Sequence, residues 1–384
     1  MSPTVIAGKD VARLAVALVA AVCAVALGVW GSAVQLPLLA VIAVFFATLG
    51  VSFVRGTEGL YLVIFAMLFS PEVSSGGTTG RMSGEAGGIV SLRLEDLIIV
   101  AVFFGWMLRS AYTGRRFGIL RSPVNMPIWG YMAVSIVATL LGVLDGSVRY
   151  PRAAFFNNLK YFEYFLLYFM IVAHLRDKTT VVRMIGALFL VFFLAMVFGY
   201  GQIGTGGRVS APFDAEPNTF GGYIVLLICV AGGIALTDRR ARIRVIMVGL
   251  LLFSLPPLLF TLSRASYLAL IVGLLSFLVV SHHRILIGAV AAGLVAVVLF
   301  GVPLFPELVK ERVVGTFQVE REYHEKLGSI DLDASTSARV FAYKQSFRRW
   351  IQRPVFGYGV TGTGFFDAQY PRVLVETGIV GLGA

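Results

Sequence analysis

Arg264 stands in Thr261-Leu262-Ser263-Arg264-Ala265-Ser266-Tyr267, immediately ahead of a run of apolar residues. A guanidinium is permanently charged and presents a rigid fork of donors that fits phosphate oxygens. At the edge of an apolar segment it is costly unless it reaches water, a partner or a ligand. Two readings follow. The arginine snorkels to an interface, or it clamps an anion with Ser263 and Ser266 adding hydroxyl donors. Arg208 is the second cation of interest, in a stretch that runs through Asp214, Glu216 and Pro217 to Asn218. Pro217 suits the first turn of a helix, and Glu216 suits the positive end of its dipole. Arg208 has no such explanation, and beside Arg264 it would turn a single contact into a diphosphate site.

Candidate acids come next. Asp367 follows a glycine-rich turn and precedes an apolar segment, which places it at the mouth of any bundle. A carboxylate there can orient or deprotonate a hydroxyl group; equally, it can cap a helix that begins near Gln369 or Tyr370. Glu376 lies about one turn inside that helix and is expected to face the interior. Lys160 and Glu163 are three residues apart on a helical stretch and are expected to neutralise each other. Arg339, Arg348 and Arg353 read as solvated or lipid-facing residues of a surface helix and its end. There is no Walker A loop, zinc-ligand spacing or Gly-x-Ser-x-Gly elbow. No metal and no cofactor are expected. Cys23 and Cys229 fall inside apolar segments, so no disulfide is expected either.

The elements that must position these residues are membrane helices. Apolar residues make up 58% of the chain and charged residues 14%, with a mean hydropathy of +0.85. A soluble domain runs at about 45–50% apolar and about 25% charged. Apolar stretches approach the ~20 residues that cross a bilayer. The fold class is therefore an all-α polytopic membrane bundle. Spans are expected at 11–30, 33–54, 59–70, 94–108, 127–144, 159–175, 181–201, 218–236, 243–262, 265–280, 284–304 and from 372 onward, about twelve in all. Pro256-Pro257 is expected to break or kink the ninth. Lys9 and Arg13 ahead of an apolar run to Trp30 read as a retained first span rather than a cleaved signal. The run from 372 reaches Ala384 after about thirteen residues, too few to cross ~30 Å at ~1.5 Å per residue, so a truncated or partly inserted helix is expected there.

In a soluble protein a net charge of +11 would point to nucleic acid. Here the charge lies in short loops and serves topology instead, so the expected environment is membrane lipid and no nucleic-acid partner is expected. With a cytoplasmic N-terminus, the cytoplasmic stretches carry Lys9, Arg13, Arg55, Arg109, Arg115, Arg116, Arg121, Arg176, Lys178, Arg183, Arg239, Arg240, Arg242, Arg244 and Arg284. The short exterior stretches carry only Arg81, Arg93, Arg149, Arg152, Lys160, Arg208 and Arg264. That excess has the sign that the positive-inside rule requires. The domain reading is a bundle at 1–304, a long exterior loop at 305–371 and the start of a last span at 372–384. Within the loop, Ser335-Thr336-Ser337 begins a helix through Arg349 whose aromatic residues suit headgroup level.

Three features then converge. They are the Ser263-Arg264 element at an exterior span end, the long loop, and a tail reading Arg353-Pro354-Val355-Phe356-Gly357-Tyr358-Gly359 followed by Glu376-Thr377-Gly378-Ile379-Val380-Gly381-Leu382. Over roughly 205–384 the chain resembles the O-antigen ligase and O-antigen polymerase superfamily of bacterial surface-polysaccharide assembly. The resemblance implies metal-independent glycan transfer at the outer face of the inner membrane, from a glycan on undecaprenyl diphosphate. By position Arg264 matches the family's Ser-Arg arginine, Arg339 an arginine near the start of the loop helix, and Arg208 a third arginine. Ser263, Tyr370 and Glu376 are assigned to orienting the acceptor. Ligases of this family carry a histidine near the loop's end, where this chain has Asp367-Ala368-Gln369-Tyr370. That departure favours a polymerase or exopolysaccharide-type relative, with Asp367 in the acceptor-orienting or base role. A ligase acting on lipid A core, a flippase for the same lipid-linked glycan and a non-catalytic scaffold are the alternatives, and a chain-length regulator is the protein partner to be sought.

Overall fold

A computed structural model describes residues 36–71, 93–114, 122–175, 177–213, 216–280, 326–327, 330–331, 334–364 and 368–384. Helices dominate them: α1 (Leu36–Val54), α2 (Gly56–Phe69), α3 (Leu94–Tyr112), α4 (Asn125–Leu144), α5 (Pro151–His174), α6 (Lys178–Gln202), α7 (Pro217–Thr237), α8 (Ala241–Phe260), α9 (Arg264–Val280), α10 (Ala334–Gln352) and α11 (Gln369–Gly383). The strands among the described residues are β1 (Lys326–Leu327) and β2 (Ile330–Asp331), antiparallel with Lys326 opposite Asp331. Among the described residues four helices, α4, α6, α7 and α8, are long and apolar enough to cross a membrane. Shorter apolar helical stretches lie at Ala40–Val54, Gly56–Phe69 and Arg264–Val279. The expected spans at 11–30 and 284–304 lie outside the described residues.

Large apolar side chains lie on the outside of the helices as well as in the core. Trp129, Ile136, Val137, Leu140 and Leu141 on α4 are exposed, as are Leu190, Phe193, Leu194 and Val197 on α6. The buried faces of α4 and α5 carry polar side chains beside apolar ones. Asn158 Nδ2 donates to Thr139 Oγ1 at 2.8 Å, and Ser135 donates to Asn158 Oδ1 at 2.5 Å. Helices in lipid gain nothing by hiding apolar side chains from one another, so close backbone approach and interior hydrogen bonds hold them together. The contact of α1 with α3 shows the first device. A Cβ on Gly105 would sit 2.7 Å from Ser52 Cβ, while Ser52 donates to the Val102 carbonyl at 3.0 Å.

The chain forms two compact units. In the first, α1 packs on α3, α3 and α4 pack on α5, and α11 packs on both α4 and α10. Arg109 of α3 donates to the Val54 and Phe53 carbonyls, closing the C-terminal end of α1. Lys160 bonds Asp96 of α3, at 3.1 Å, which corrects the expected pairing with Glu163. The i, i+3 neighbour loses to a carboxylate on the helix packed alongside. Glu163 is buried, and its Oε1 has no hydrogen-bond partner among the described residues.

In the second unit α7 packs on α8 and α9. α8 runs through Pro256-Pro257 to Phe260, so of the expected break or kink the break does not occur. A proline at 257 cannot donate to the Phe253 carbonyl one turn back. Tyr200 of α6 donates its hydroxyl to that carbonyl instead, at 2.9 Å, with the two rings 4.7 Å apart. A tertiary hydrogen bond replaces the missing local one.

α10 extends the expected loop helix to Ala334–Gln352. Tyr343, Phe347 and Ile351 form an exposed stripe at i, i+4, i+8, and exposed Arg339, Lys344 and Arg348 accompany it. Such a face suits a membrane surface.

Candidate active site

The second unit builds a basic corner around the turn between α8 and α9. Thr261 Oγ1 donates to the Leu258 carbonyl at 2.7 Å, closing the end of α8. Leu262 takes a left-handed φ of 51°, which turns the chain sharply into α9. Ser263 is the residue before α9; its Oγ accepts the Ser266 N–H at 3.3 Å and the Ser266 hydroxyl at 2.8 Å. That is an N-cap. Ser263 is 1% exposed, so the expected role as an open acceptor-orienting donor gives way to a buried cap. Arg264 is half-buried and is the first residue of α9. Arg208 is brought to the same turn: its Nε donates to the Thr261 carbonyl at 2.8 Å, and its Nη2 to the Leu262 carbonyl at 3.4 Å and to Asn218 Oδ1 at 3.0 Å. Val209 N–H donates to the Phe260 carbonyl at 2.9 Å and pins the segment behind it. The corner therefore brings Arg208 to the N-terminal end of α9, which Arg264 begins and where the helix dipole favours an anion.

The first unit explains the tail motif. α11 is broken at Gly378, with φ 66° and ψ −165°. The break frees carbonyls that a regular helix would use internally. Tyr358 N–H donates to the Val375 carbonyl and Gly359 N–H to the Glu376 carbonyl, each at 2.9 Å; Ile379 N–H returns a bond to the Pro354 carbonyl at 2.9 Å. The Pro-x-Phe-Gly-x-Gly turn is thus laced to the Glu-Thr-Gly helix through backbone. The glycines are there because the backbones touch: a Cβ on Gly357 would lie 2.8 Å from the Glu376 carbonyl oxygen. The turn also reaches α4, where Val360 N–H donates to Thr139 Oγ1 at 3.3 Å.

Glu376 does face the interior, at 2% exposure. Its Oε1 accepts from Arg372 Nε at 3.3 Å and from the Thr361 N–H at 3.2 Å, and its Oε2 accepts from the Tyr161 hydroxyl at 3.3 Å. The Arg372 guanidinium also lies 5.4 Å from the Tyr161 ring centroid. Glu376 ties α5, the 353–364 turn and α11 together, so these contacts make it a positioning residue. Tyr370, in the first turn of α11, is 77% exposed, and Arg339 on α10 is exposed. Asp367 lies outside the described residues.

Sequence reasoning passed over two partnerships. Arg372 and Glu376 are an i, i+4 pair, a spacing readable from the chain. Arg353 pairs with Asp145 and donates to Ser147 Oγ at 2.7 Å, while its guanidinium covers Tyr358 at 4.7 Å from the ring centroid. Nothing local signals Asp145. It follows the C-terminal end of α4, where a negative charge is unfavourable. The Ser147 hydroxyl is the main cause that holds its carboxyl below the ordinary value; burial, the next largest effect, opposes it, and the Ser147 N–H and Arg353 add to the lowering.

Residues 249–384 match the protein-family model described as O-antigen ligase. The matched stretch contains Arg264, Arg339, Tyr370 and Glu376 and begins after Arg208. No curated protein matches the chain.

Proposed function

We propose, from a chain whose residues 249–384 match the family model described as O-antigen ligase, that this membrane protein is a glycan polymerase of the bacterial inner membrane. Its donor is a glycan on undecaprenyl diphosphate, and its acceptor is a sugar hydroxyl at the outer face. The observation that carries the reading is the meeting of Arg208 with the turn that leads into Arg264 at the N-terminal end of α9.

In the reaction the acceptor oxygen forms a bond to the anomeric carbon of the donor. The bond from that carbon to the diphosphate oxygen breaks, and its electron pair leaves with the diphosphate. Negative charge grows on the leaving group, so donors already fixed around it stabilise the transition state more than the ground state. Arg264 and Arg208 take that role, with Arg339 as a further phosphate contact. The guanidinium charge does the work assigned to a metal in other phosphate sites, so the mechanism calls for none. The acceptor proton passes to Asp367, a carboxylate suited to a general base. Tyr370 meets the acceptor, and Glu376 fixes the tail motif beneath it.

Ligase activity toward lipid A core is the second reading, favoured by the description of the matched family. The test is full-length protein in lipid nanodiscs given polyprenyl-diphosphate oligosaccharide, with and without lipid A core. Polyprenyl diphosphate release with glycan lengthening supports the polymerase. Transfer only to lipid A core supports the ligase. Transbilayer movement of intact donor without release contradicts both and supports a flippase.

A further inference from the structure

The exposed face of α10 leads along the chain to a second exposed apolar surface. Tyr343, Phe347 and Ile351 form the stripe on α10, and exposed Lys344 and Arg348 each follow a stripe residue directly, about 100° round the helix. Ser346, nearly opposite that basic row, is buried, and α10 packs on α11. α10 carries no acidic residue. Just beyond its end the first unit holds a cleft of about 520 Å³, lined by Leu141, Leu144, Asp145 and residues 353–357. Leu144 is 83% exposed, and Leu141, Val355 and Phe356 are exposed with it. Arg353 and Asp145 already pair with each other, so the cleft offers a ligand mainly apolar contact.

Three observations identify what covers these two surfaces. Leu141 and Leu144 continue the exposed row of Ile136, Val137 and Leu140 on α4, a helix long and apolar enough to cross a membrane. The cleft therefore opens on the side of α4 that meets lipid. Arg353, just past α10, is tied to the end of α4 through Asp145 and Ser147. The face of α10 therefore begins where the apolar run of α4 stops. The third observation is charge: a basic row beside an aromatic stripe, with no acid on the helix, complements an anionic headgroup. A contiguous apolar patch of this kind marks a partner, and the lipid that meets α4 is already in place to supply it.

We infer that this surface is a binding site for an acidic bilayer phospholipid. An acyl chain occupies the cleft beside Leu141, Leu144, Val355 and Phe356, and the headgroup phosphate meets Arg348 and Lys344. Arg348 stands four residues before the end of α10, about 6 Å at ~1.5 Å per residue, which an arginine side chain spans. Phe347 and Trp350, with ring centroids 5.3 Å apart, lie between the two, at the level that aromatic side chains favour. The lipid holds α10 to the bilayer, and with it Arg339 near the other end of the helix. The site does not depend on the glycan-transfer reading.

The probes are phosphatidylglycerol and phosphatidylcholine with identical chains, titrated into full-length protein in neutral detergent, with bound lipid counted by native mass spectrometry. Wild type is compared with Lys344→Gln/Arg348→Gln, with Leu144→Asn, and with Arg239→Gln/Arg242→Gln as a control for charge removed elsewhere. All five positions are exposed, and melting temperature checks that each variant folds. Each basic residue at an anionic headgroup is worth about fivefold. Wild type is therefore expected to prefer phosphatidylglycerol by at least about tenfold. Lys344→Gln/Arg348→Gln should abolish most of that preference, and the control pair should keep it. Leu144→Asn should weaken both lipids alike, because it touches the chain and not the headgroup. No preference in the wild type, or equal loss in the two charge pairs, overturns the site. Displacement of phosphatidylglycerol by one equivalent of polyprenyl-diphosphate oligosaccharide gives the surface to the donor lipid and overturns the phospholipid assignment.

Discussion

Replacing Gly378 with alanine tests whether the tail motif is a backbone lock. Gly378 holds φ 66° and ψ −165°, a region that costs a side-chain-bearing residue about 1–3 kcal/mol. The added Cβ would also lie 2.7 Å from Phe356 N, and closer still to the Val355 carbonyl. Backbone cannot rotate away as a flexible side chain can, so the contact is relieved only if the 353–364 turn withdraws. Withdrawal gives up the bonds from Tyr358, Gly359 and Ile379, each at 2.9 Å, and the weaker one from Val380 to Val355 at 3.4 Å. At about 1 kcal/mol net for each, that is about 4 kcal/mol. Strain plus clash and withdrawal are alternatives, and the smaller sets the cost, on the order of 3–4 kcal/mol. The assay is thermal unfolding in detergent with limited proteolysis of the 353–364 turn. The melting temperature is expected to fall by several degrees, on the order set by such a loss, and cleavage in the turn to appear. Gly383 serves as control, since a Cβ there meets nothing within 4 Å. If Gly378→Ala matches wild type in both assays, the lock is not what the glycines are for.

Three further perturbations address the scaffold around the candidate residues. The carboxyl of Asp145 is held below its ordinary value in the folded state. Its contribution is therefore present above the unfolded value of about 3.9 and is lost as pH falls through the lower folded value. The turn should resist protease down to about pH 4 and open below it, and Asp145→Asn should open it at neutral pH and remove that pH dependence. Lys160→Met removes the ion-pair partner of Asp96, which keeps its bond from the Arg93 N–H, and should cost about 1–3 kcal/mol, as read from detergent melting; Asp96→Leu, which loses the cap of α3 as well as the pair, should cost more. Tyr200→Phe leaves the Phe253 carbonyl without its 2.9 Å donor and should destabilise the second unit by about 1–3 kcal/mol, seen as earlier proteolysis around α8.

Much of the helical layout is legible in the sequence because lipid punishes any unpaired backbone group. Apolar runs at 243–262 and 265–280 correspond to α8 and α9 within a few residues, and the short polar turn between them had to hold Arg264. Glu376 facing inward follows from the same cost. What stays illegible is long-range. Lys160 meets Asp96 rather than the nearer Glu163 because α3 packs on α5, and no spacing rule carries that contact. Pro256-Pro257 reads as a break or kink, and the bond from Tyr200 to the Phe253 carbonyl is invisible to that reading. Arg208 reads as an unexplained cation until its bonds to Thr261 and Leu262 appear. The tail glycines read as family markers, whereas their positive φ values and close carbonyls give them a mechanical purpose. Asp367, on which the choice between polymerase and ligase turns, lies outside the described residues and rests on the sequence alone.

The central claim is that guanidinium charge at the start of α9 stabilises a departing diphosphate. Its most direct test is single-turnover release of polyprenyl diphosphate from labelled lipid-linked oligosaccharide, by nanodisc-embedded wild type, Arg264→Ala and Arg264→Lys at saturating donor. Loss of a preorganised charge at the leaving group predicts release slower by about 10²–10³-fold for Arg264→Ala, with lysine restoring only part because it lacks the planar fork. Release by Arg264→Ala within about twofold of wild type, from a variant that melts normally, would contradict the account.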